Sequence, residues 1–292
     1  MPLTHTRTFR VRYYECDAYG HLNNANYLRL MQETAFDASA AAGYDLARYE
    51  QIGRHWLIRA TEIEYLRQVR YGDALEVKTW VADFRRASSR RMYEFRLAGA
   101  EELAARGHSD WVLLDDASGQ PVRVPAEMGA AFFPEGLPAA FPARAPFPSA
   151  PTPPPGVFKM RQAVRWRDID GMQHVNNAVY LEYLDECGMR AIAAQGWPWT
   201  RMREAGFAIM LRKHQIQYHQ PARLDDELEI STWLSNIRRS SATRHYTICR
   251  ATDQARLVQV HTLGVWVELA TGRPVRIPEA MLVDFGPQIV EA

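Results

Sequence analysis

The chain has 292 residues, 47% of them hydrophobic and 24% charged, with a net charge of +1. That length supports two ordinary domains with separate cores, and nothing in the near-neutral balance demands a nucleic-acid or acidic partner, so none is expected. No apolar run nears the roughly 18 residues that cross a bilayer, the opening MPLTHTRTFR carries no apolar signal stretch, and Cys16, Cys187 and Cys249 lie far apart without a CxxC pair, so a cytoplasmic chain without disulfides or a cysteine zinc site is expected.

In chain order, residues 6–14 alternate apolar and polar and predict a strand. A polar stretch from Asp17 to Asn24 follows. Apolar residues then recur at Tyr27, Leu28, Met31, Ala35 and Ala38, a helical spacing that Gly43 should stop. Residues 56–66, 75–84, 91–97 and 107–114 are rich in β-branched or aromatic residues and predict four more strands. Between Pro134 and Pro155 stand nine prolines. Proline fixes φ and removes a backbone donor, so this stretch should be an extended, semi-rigid tether.

After the tether the sequence repeats itself. "VRYYECDAYGHLNNANYL" begins at Val11 and "VRWRDIDGMQHVNNAVYL" at Val164, an offset of 153. The same offset carries Gly43 to Gly196, Arg59 to Arg212, Thr79-Trp80 to Thr232-Trp233, His108 to His261, and "GQPVRVP" to "GRPVRIP" without a gap. Register kept over so long a span marks a tandem duplication. The expected organisation is a first domain at 1–133, a linker at 134–156 and a second domain at 157–292. Each reads as strand, long helix and at least four strands, an order satisfied by an antiparallel sheet wrapped around one helix.

The duplication separates positions that drift from positions that stay. Asp17 and Asp170, His21 and His174, Asn23-Asn24 and Asn176-Asn177, and Tyr27 and Tyr180 coincide, giving D-x-x-x-H-x-N-N-x-x-Y directly before a helix. Capping accounts for one asparagine (Asn24 or Asn177) and one acid; it does not account for five matched positions. A helix start offers unpaired N–H groups to a developing oxyanion. An aspartate beside it can act as nucleophile or as general base toward water, while a neutral His or an Asn amide orients water or carbonyl. These parts suit acyl transfer to water. No serine nucleophile elbow is present, since Gly107-His108-Ser109 lacks the flanking pattern. Asp17 and His21, four apart and without a third ligand of matching spacing, make no metal site.

"ECDAYGHLNNANYLRLMQE" and "RDIDGMQHVNNAVYLEYLDE" resemble the hotdog-fold thioesterases of the 4-hydroxybenzoyl-CoA thioesterase-like group. The second copy also resembles the D-x-D-x-x-Q-H-V-N-N stretch of plant-type acyl-ACP thioesterases, themselves tandem hotdogs. The likeness runs through both repeats, including "GDALEV" and "DDELEI". It implies an α+β fold of two tandem hotdog domains, an internal pseudo-dimer with further homo-oligomerisation left open, and hydrolysis of acyl-CoA or acyl-ACP without metal or cofactor. It further implies that Asp17 and Asp170 are the catalytic carboxylates and that N–H groups near Asn24 and Asn177 polarise the thioester carbonyl. His21 and His174, with Asn23 and Asn176, position substrate or water. Where acyl-ACP enzymes carry an Asn two residues after the catalytic Asp, this chain has Tyr19 and Met172, which favours the simpler one-carboxylate arrangement of acyl-CoA thioesterases. A non-catalytic acyl-CoA-binding hotdog protein is the rival from another class, and a hotdog hydratase or dehydratase ranks below it.

Two basic clusters also match, "RRASSRR" from Arg85 and "RRSSATRH" from Arg238. Arg85, Arg86, Arg238 and Arg239 are candidates to grip CoA phosphates, against the plainer reading of solvated turns. Glu33 and Glu186, further along the helix, read equally as second acids or as surface partners. His108 and His261 sit in a strand-like segment and read as structural.

Overall fold

The computed structural model describes residues 1–138 and 140–291 and divides into two compact units, Met1–Pro146 and Phe147–Ala292. In the first unit the order is β1 (Thr4–Arg10), α1 (Asn24–Ala41), α2 (Leu46–Gln51), β2 (Arg54–Tyr65), β3 (Ala74–Phe84), β4 (Ser88–Leu97), β5 (Leu103–Asp115) and α3 (Ala126–Phe132). The strands form an antiparallel sheet in the order β1-β3-β4-β5-β2. The second unit repeats this with β6 (Phe158–Ala163), α4 (Val179–Ala194), α5 (Trp199–Glu204), β7 (Phe207–Tyr218), β8 (Glu227–Ser235), β9 (Ser241–Arg250), β10 (Arg256–Glu268) and α6 (Glu279–Phe285), ordered β6-β8-β9-β10-β7.

The physical reason for the wrap is the two-residue period of the strands. In β3, Leu75, Val77, Thr79 and Val81 are buried while their neighbours are not, and in β4 the same holds for Ser89, Arg91, Tyr93 and Phe95. That face must be covered, and α1 covers it with buried Tyr27, Leu28, Met31, Ala35 and Ala38. At 18 residues, α1 is about 27 Å long. Gly43 follows it at φ +82°, the left-handed conformation that ends helices cheaply. At one end Met128, Phe132 and Phe133 of the α3 region close the core against Tyr44, Val81 and Leu113. β5 can lie against β2 only because residue 107 is glycine: a Cβ there would stand 2.4 Å from the Glu62 carbonyl oxygen.

The expected strands and long helices are present, with three differences. The first strand ends at Arg10 and not Tyr14, because Tyr13–Glu15 is a 3₁₀ turn that swings the chain toward α1. β4 and β5 begin three and four residues earlier than residues 91 and 107, since polar residues are tolerated wherever the ladder runs on. The short helices α2 and α3 were not foreseen; α2 starts on Asp45, whose Oδ1 accepts from the Arg48 N–H at 2.8 Å.

No described residue between 134 and 157 is in a helix or strand. Within the first unit the start of this stretch is nonetheless docked. Phe141 meets Phe133 with ring centroids 6.0 Å apart, the Pro142 carbonyl accepts from Arg85 at 2.8 Å, and the Arg144 guanidinium pairs with buried Asp83 and with Asp110. No helix among the described residues is long and apolar enough to cross a membrane.

Candidate active site

The motif folds into a closed loop in each unit. In the first, Cys16 and Leu22 bridge across it, the Asp17 N–H donates to the His21 carbonyl (2.8 Å), and the Gly20 N–H returns to the Asp17 carbonyl (3.0 Å). The turn requires a left-handed residue, Gly20 at φ +77°. The second unit closes the same turn with Gln173 at φ +60°.

The loop aims the carboxylate. Asp17 Oδ1 accepts the backbone N–H groups of Tyr19 (2.8 Å) and His21 (3.1 Å), so Oδ2 faces outward with no hydrogen bond among the described residues. At the position two residues after the Asp it is the backbone N–H that holds the carboxylate. In the second unit Asp170 Oδ1 accepts from the Met172 N–H (2.9 Å) and Oδ2 from Asn176 Nδ2 (3.2 Å).

The asparagines divide their labour differently from the capping expectation. Asn23, not Asn24, is the cap of α1: its Oδ1 accepts from the Ala25 N–H at 2.9 Å. Asn176 makes the same bond to Ala178 at 3.0 Å, and α4 begins only at Val179. The reason is register: the asparagine whose side chain reaches two residues forward must precede the first helical residue. Asn24 is the first residue of α1 and its N–H has no acceptor among the described residues; Asn177 lies in the turn just before Ala178, the N-cap of α4. The side-chain Nδ2 of Asn177 is buried and has no hydrogen-bond partner among the described residues. A buried donor without an acceptor is costly, and this one lies at the helix start beside the carboxylate loop.

His21 is half-buried and hydrogen-bonded to Gln68. Burial lowers its imidazole from the ordinary range, with Arg70 adding to the effect and Asp17 and Gln68 opposing it, so it is neutral at pH 7. Tyr27 and Tyr180 are core residues: the Tyr180 hydroxyl accepts from the Ala222 N–H at 3.0 Å, and Tyr27 packs edge-on to Tyr65 and Phe95. Asp168, the first acid of the second motif, is consumed by structure. It is 3% exposed and accepts from the Tyr183 hydroxyl (2.6 Å) and the Arg165 N–H (2.8 Å). Among the described residues no group of three His, Cys, Asp or Glu is arranged to hold a metal.

Arg85 and Arg86 are exposed in the turn between β3 and β4, and Arg238 and Arg239 in the equivalent turn of the second unit. The motif loop lies at the other end of β3, where the Val11 N–H meets the Asp73 carbonyl. The ten residue steps of β3 put about 33 Å of strand between them, so neither unit brings its own arginine pair to its own aspartate. Glu33 and Glu186 are surface partners of Arg7 (3.5 Å) and Arg190 (2.5 Å). The clusters read as solvated turns continue into strands: Arg91 and Arg244 lie on the helix-facing side of β4 and β9, 6% and 9% exposed. The two-residue alternation with Tyr93 and Phe95 was the signal that could have placed them.

The thioesterase-like superfamily profile matches residues 11–132 and again 164–285, one match per unit. The chain belongs to this superfamily. Superfamily relatives include a chloroplastic acyl-[acyl-carrier-protein] hydrolase of Cuphea viscosissima, 24% identical over 63% of this chain; the chain spans 47% of that protein's length. They also include the acyl-CoA thioester hydrolase YbgC of Escherichia coli, 25% identical over 44% of this chain and 96% of that one. Among solved structures, a Lactobacillus plantarum protein assigned as an oleoyl thioesterase superposes over 95% of this chain and 98% of its own, with a TM-score of 0.79 at 18% identity. The 12:0-ACP thioesterase of Umbellularia californica does so over 91% and 97%, with a TM-score of 0.69 at 18% identity. These superpositions establish the fold, the tandem hotdog architecture expected from the sequence.

Proposed function

We propose that this thioesterase-like superfamily chain hydrolyses an acyl thioester, acyl-CoA or acyl-ACP, to free acid and thiol. The observation that carries the reading is the pairing of a backbone-anchored carboxylate with unsatisfied donors at one helix start. Asp17 Oδ2 is an open acceptor, and the Asn24 N–H is an open donor in the same loop–helix junction. In the second unit the open donor is the buried Asn177 Nδ2.

The chemistry follows from that arrangement. The thioester oxygen accepts from the helix-start donors, which gain strength as the oxygen becomes negative. The carboxylate removes a proton from water as the water oxygen attacks the carbonyl carbon, or attacks that carbon itself. The C–S bond breaks and the departing thiolate takes up the proton drawn from water; where the carboxylate itself attacks, water then cleaves the acyl–Asp anhydride so formed, which yields the free acid and that proton. Neutral His21 is suited to orient the incoming water. The names of both relatives, one an acyl-ACP hydrolase and one an acyl-CoA thioester hydrolase, support the reaction class and leave the carrier to experiment.

The test is a thiol-release panel with short, medium, long and aromatic acyl-CoAs, with an acyl-ACP beside them. Release from at least one substrate, above the spontaneous rate, is expected. Tight acyl-CoA binding without thiol release from any of them would replace this reading with a non-catalytic acyl-CoA-binding protein.

A further inference from the structure

The core of each unit contains a guanidinium with no counter-ion among the described residues. Arg91 is 6% exposed, yet among the described residues the one hydrogen bond of its side chain is a long contact from Nη2 to Ser39 Oγ at 3.5 Å, and no carboxylate pairs with it. Its guanidinium carbon stands 5.4 Å from the centre of the Phe132 ring. Arg244, its duplicate, is 9% exposed, with Thr232 Oγ1 at 3.4 Å and the Phe285 ring at 5.9 Å. Arginine keeps its charge in proteins, and a buried charge is ordinarily paired. Burial pushes the Arg91 guanidinium below its ordinary range, with only Tyr93 and Tyr49 acting against it.

In the first unit further polar groups converge. The Tyr49 hydroxyl accepts from Trp56 Nε1 at 3.0 Å and is hydrogen-bonded to Ser39, so Ser39, Tyr49 and Arg91 form one polar island within apolar packing. A few aimed donors in an apolar surround describe a ligand site. The duplicate has Ile192 and Met202 where the first unit has Ser39 and Tyr49, which singles out the first unit.

The position gives the ligand a length. From Asn24 to Ser39 is fifteen residues of α1, about 22 Å. Along the sheet, Arg91 pairs with Val81, seven residues from Ala74 at the motif end of β3, about 23 Å. An extended chain advances about 1.2 Å per bond, so roughly eighteen bonds span the gap. We propose that Arg91, with Ser39 and Tyr49, receives a carboxylate at the far end of a long acyl chain whose thioester lies at the Asp17 loop. This makes Arg91 a specificity residue, and the proposal rests on the thioester-hydrolase reading.

The test compares the full-length chain with Arg91→Met and Arg91→Lys on octadecanoyl-CoA, its ω-carboxy analogue, and the ω-carboxy analogue of octanoyl-CoA. The wild type should show at least a tenfold higher kcat/KM for the long ω-carboxy substrate than for octadecanoyl-CoA, carried by KM. Arg91→Met should abolish that preference, Arg91→Lys should retain part of it, and the short analogue should show none. Circular dichroism confirms that the variants fold. Equal wild-type kcat/KM for the two long substrates, or a preference that survives in folded Arg91→Met, overturns the proposal. Calorimetry with octadecanedioate and octadecanoate separates this from a failure of the hydrolase reading. Arg91-dependent binding of the diacid above the monoacid supports the site even if no thiol is released. Arg91-dependent binding of both equally overturns the chain-end assignment in favour of a free fatty acid.

Discussion

Asp17→Asn and Asp170→Asn make an unequal pair, and the structure says why. At position 17 the anchored oxygen accepts two backbone N–H groups, at 2.8 and 3.1 Å, and the other oxygen has no donor among the described residues. An amide can keep its oxygen in the anchored place and point its NH₂ outward. The fold should therefore lose no more than the roughly 0.5 kcal/mol typical of a neutral substitution. At position 170 the second oxygen accepts from Asn176 Nδ2 at 3.2 Å. An amide there sets donor against donor, or forces Asn176 to turn and release the Ala178 N–H. Both side chains are part-buried, so the cost should be about 1 kcal/mol, the low end of the roughly 1–3 kcal/mol for a buried polar group left unpaired. On activity, removal of a general base lowers the rate roughly 10²–10⁴-fold per site, about 3–5 kcal/mol of barrier. On the proposal that each unit carries a site, each single variant should retain the share of the other and only the double variant should show the full loss; full loss from one single variant would reduce the count to one site. Thiol release and thermal unfolding are measured on the same preparations. A folded double variant that hydrolyses at the wild-type rate refutes the carboxylate mechanism. Equal destabilisation by the two single variants refutes the account of Asn176.

Three further outcomes are expected. Burial lowers the His214 imidazole to about 3, against 6.5 unperturbed. Its contribution is thus complete above pH 6.5 and is lost as the pH falls toward 3, because only the unfolded chain takes up the proton. The slope is about 1.4 kcal/mol per pH unit, and urea midpoints between pH 7 and 4.5 should fall less steeply in His214→Thr, the residue found at Thr61 in the first unit. Tyr180→Phe leaves the buried Ala222 N–H without its 3.0 Å acceptor and should cost about 1–3 kcal/mol, seen in thermal unfolding; an unchanged melting temperature would show that another acceptor replaces it. Arg144→Met removes the partner shared by Asp83 and Asp110. Because Arg90 still forks Asp110 at 2.7 Å, the loss should stay below the roughly 3–5 kcal/mol of breaking a fully buried pair, read from urea unfolding at neutral pH.

Much of the fold was open to reading because the chain carries its own comparison. Two copies at a fixed offset mark Asp17, His21, Asn23 and Asn24 as persistent while their apolar neighbours drift. The period of apolar residues after Asn24 predicts a helix wherever it is placed, and the alternation in β3 predicts a strand with one covered face. The first strand was overrun because the alternation of Phe9, Val11 and Tyr13 with Arg10 and Arg12 continues past Arg10, where the strand ends. What ends the strand is a 3₁₀ turn closed by the Arg12 N–H on Glu15 Oε2 at 2.8 Å, and no alternation rule detects it.

Local order, then, belongs to the sequence: element type, the paired motif loops, and the presence of a cap beside an acid all follow from interactions within a few residues. Tertiary structure alone decided what each polar group faces. It turned Asp168 into a buried acceptor for Tyr183, fifteen residues away, and left Asp17 Oδ2 open. It separated Arg85 and Arg86 from the motif loop by the length of a strand, and it buried Arg91, three residues beyond a solvated turn, between sheet and helix. Hydrogen-bond partners and counter-ions are set by which segments meet in space, and spacing along the chain does not contain that information.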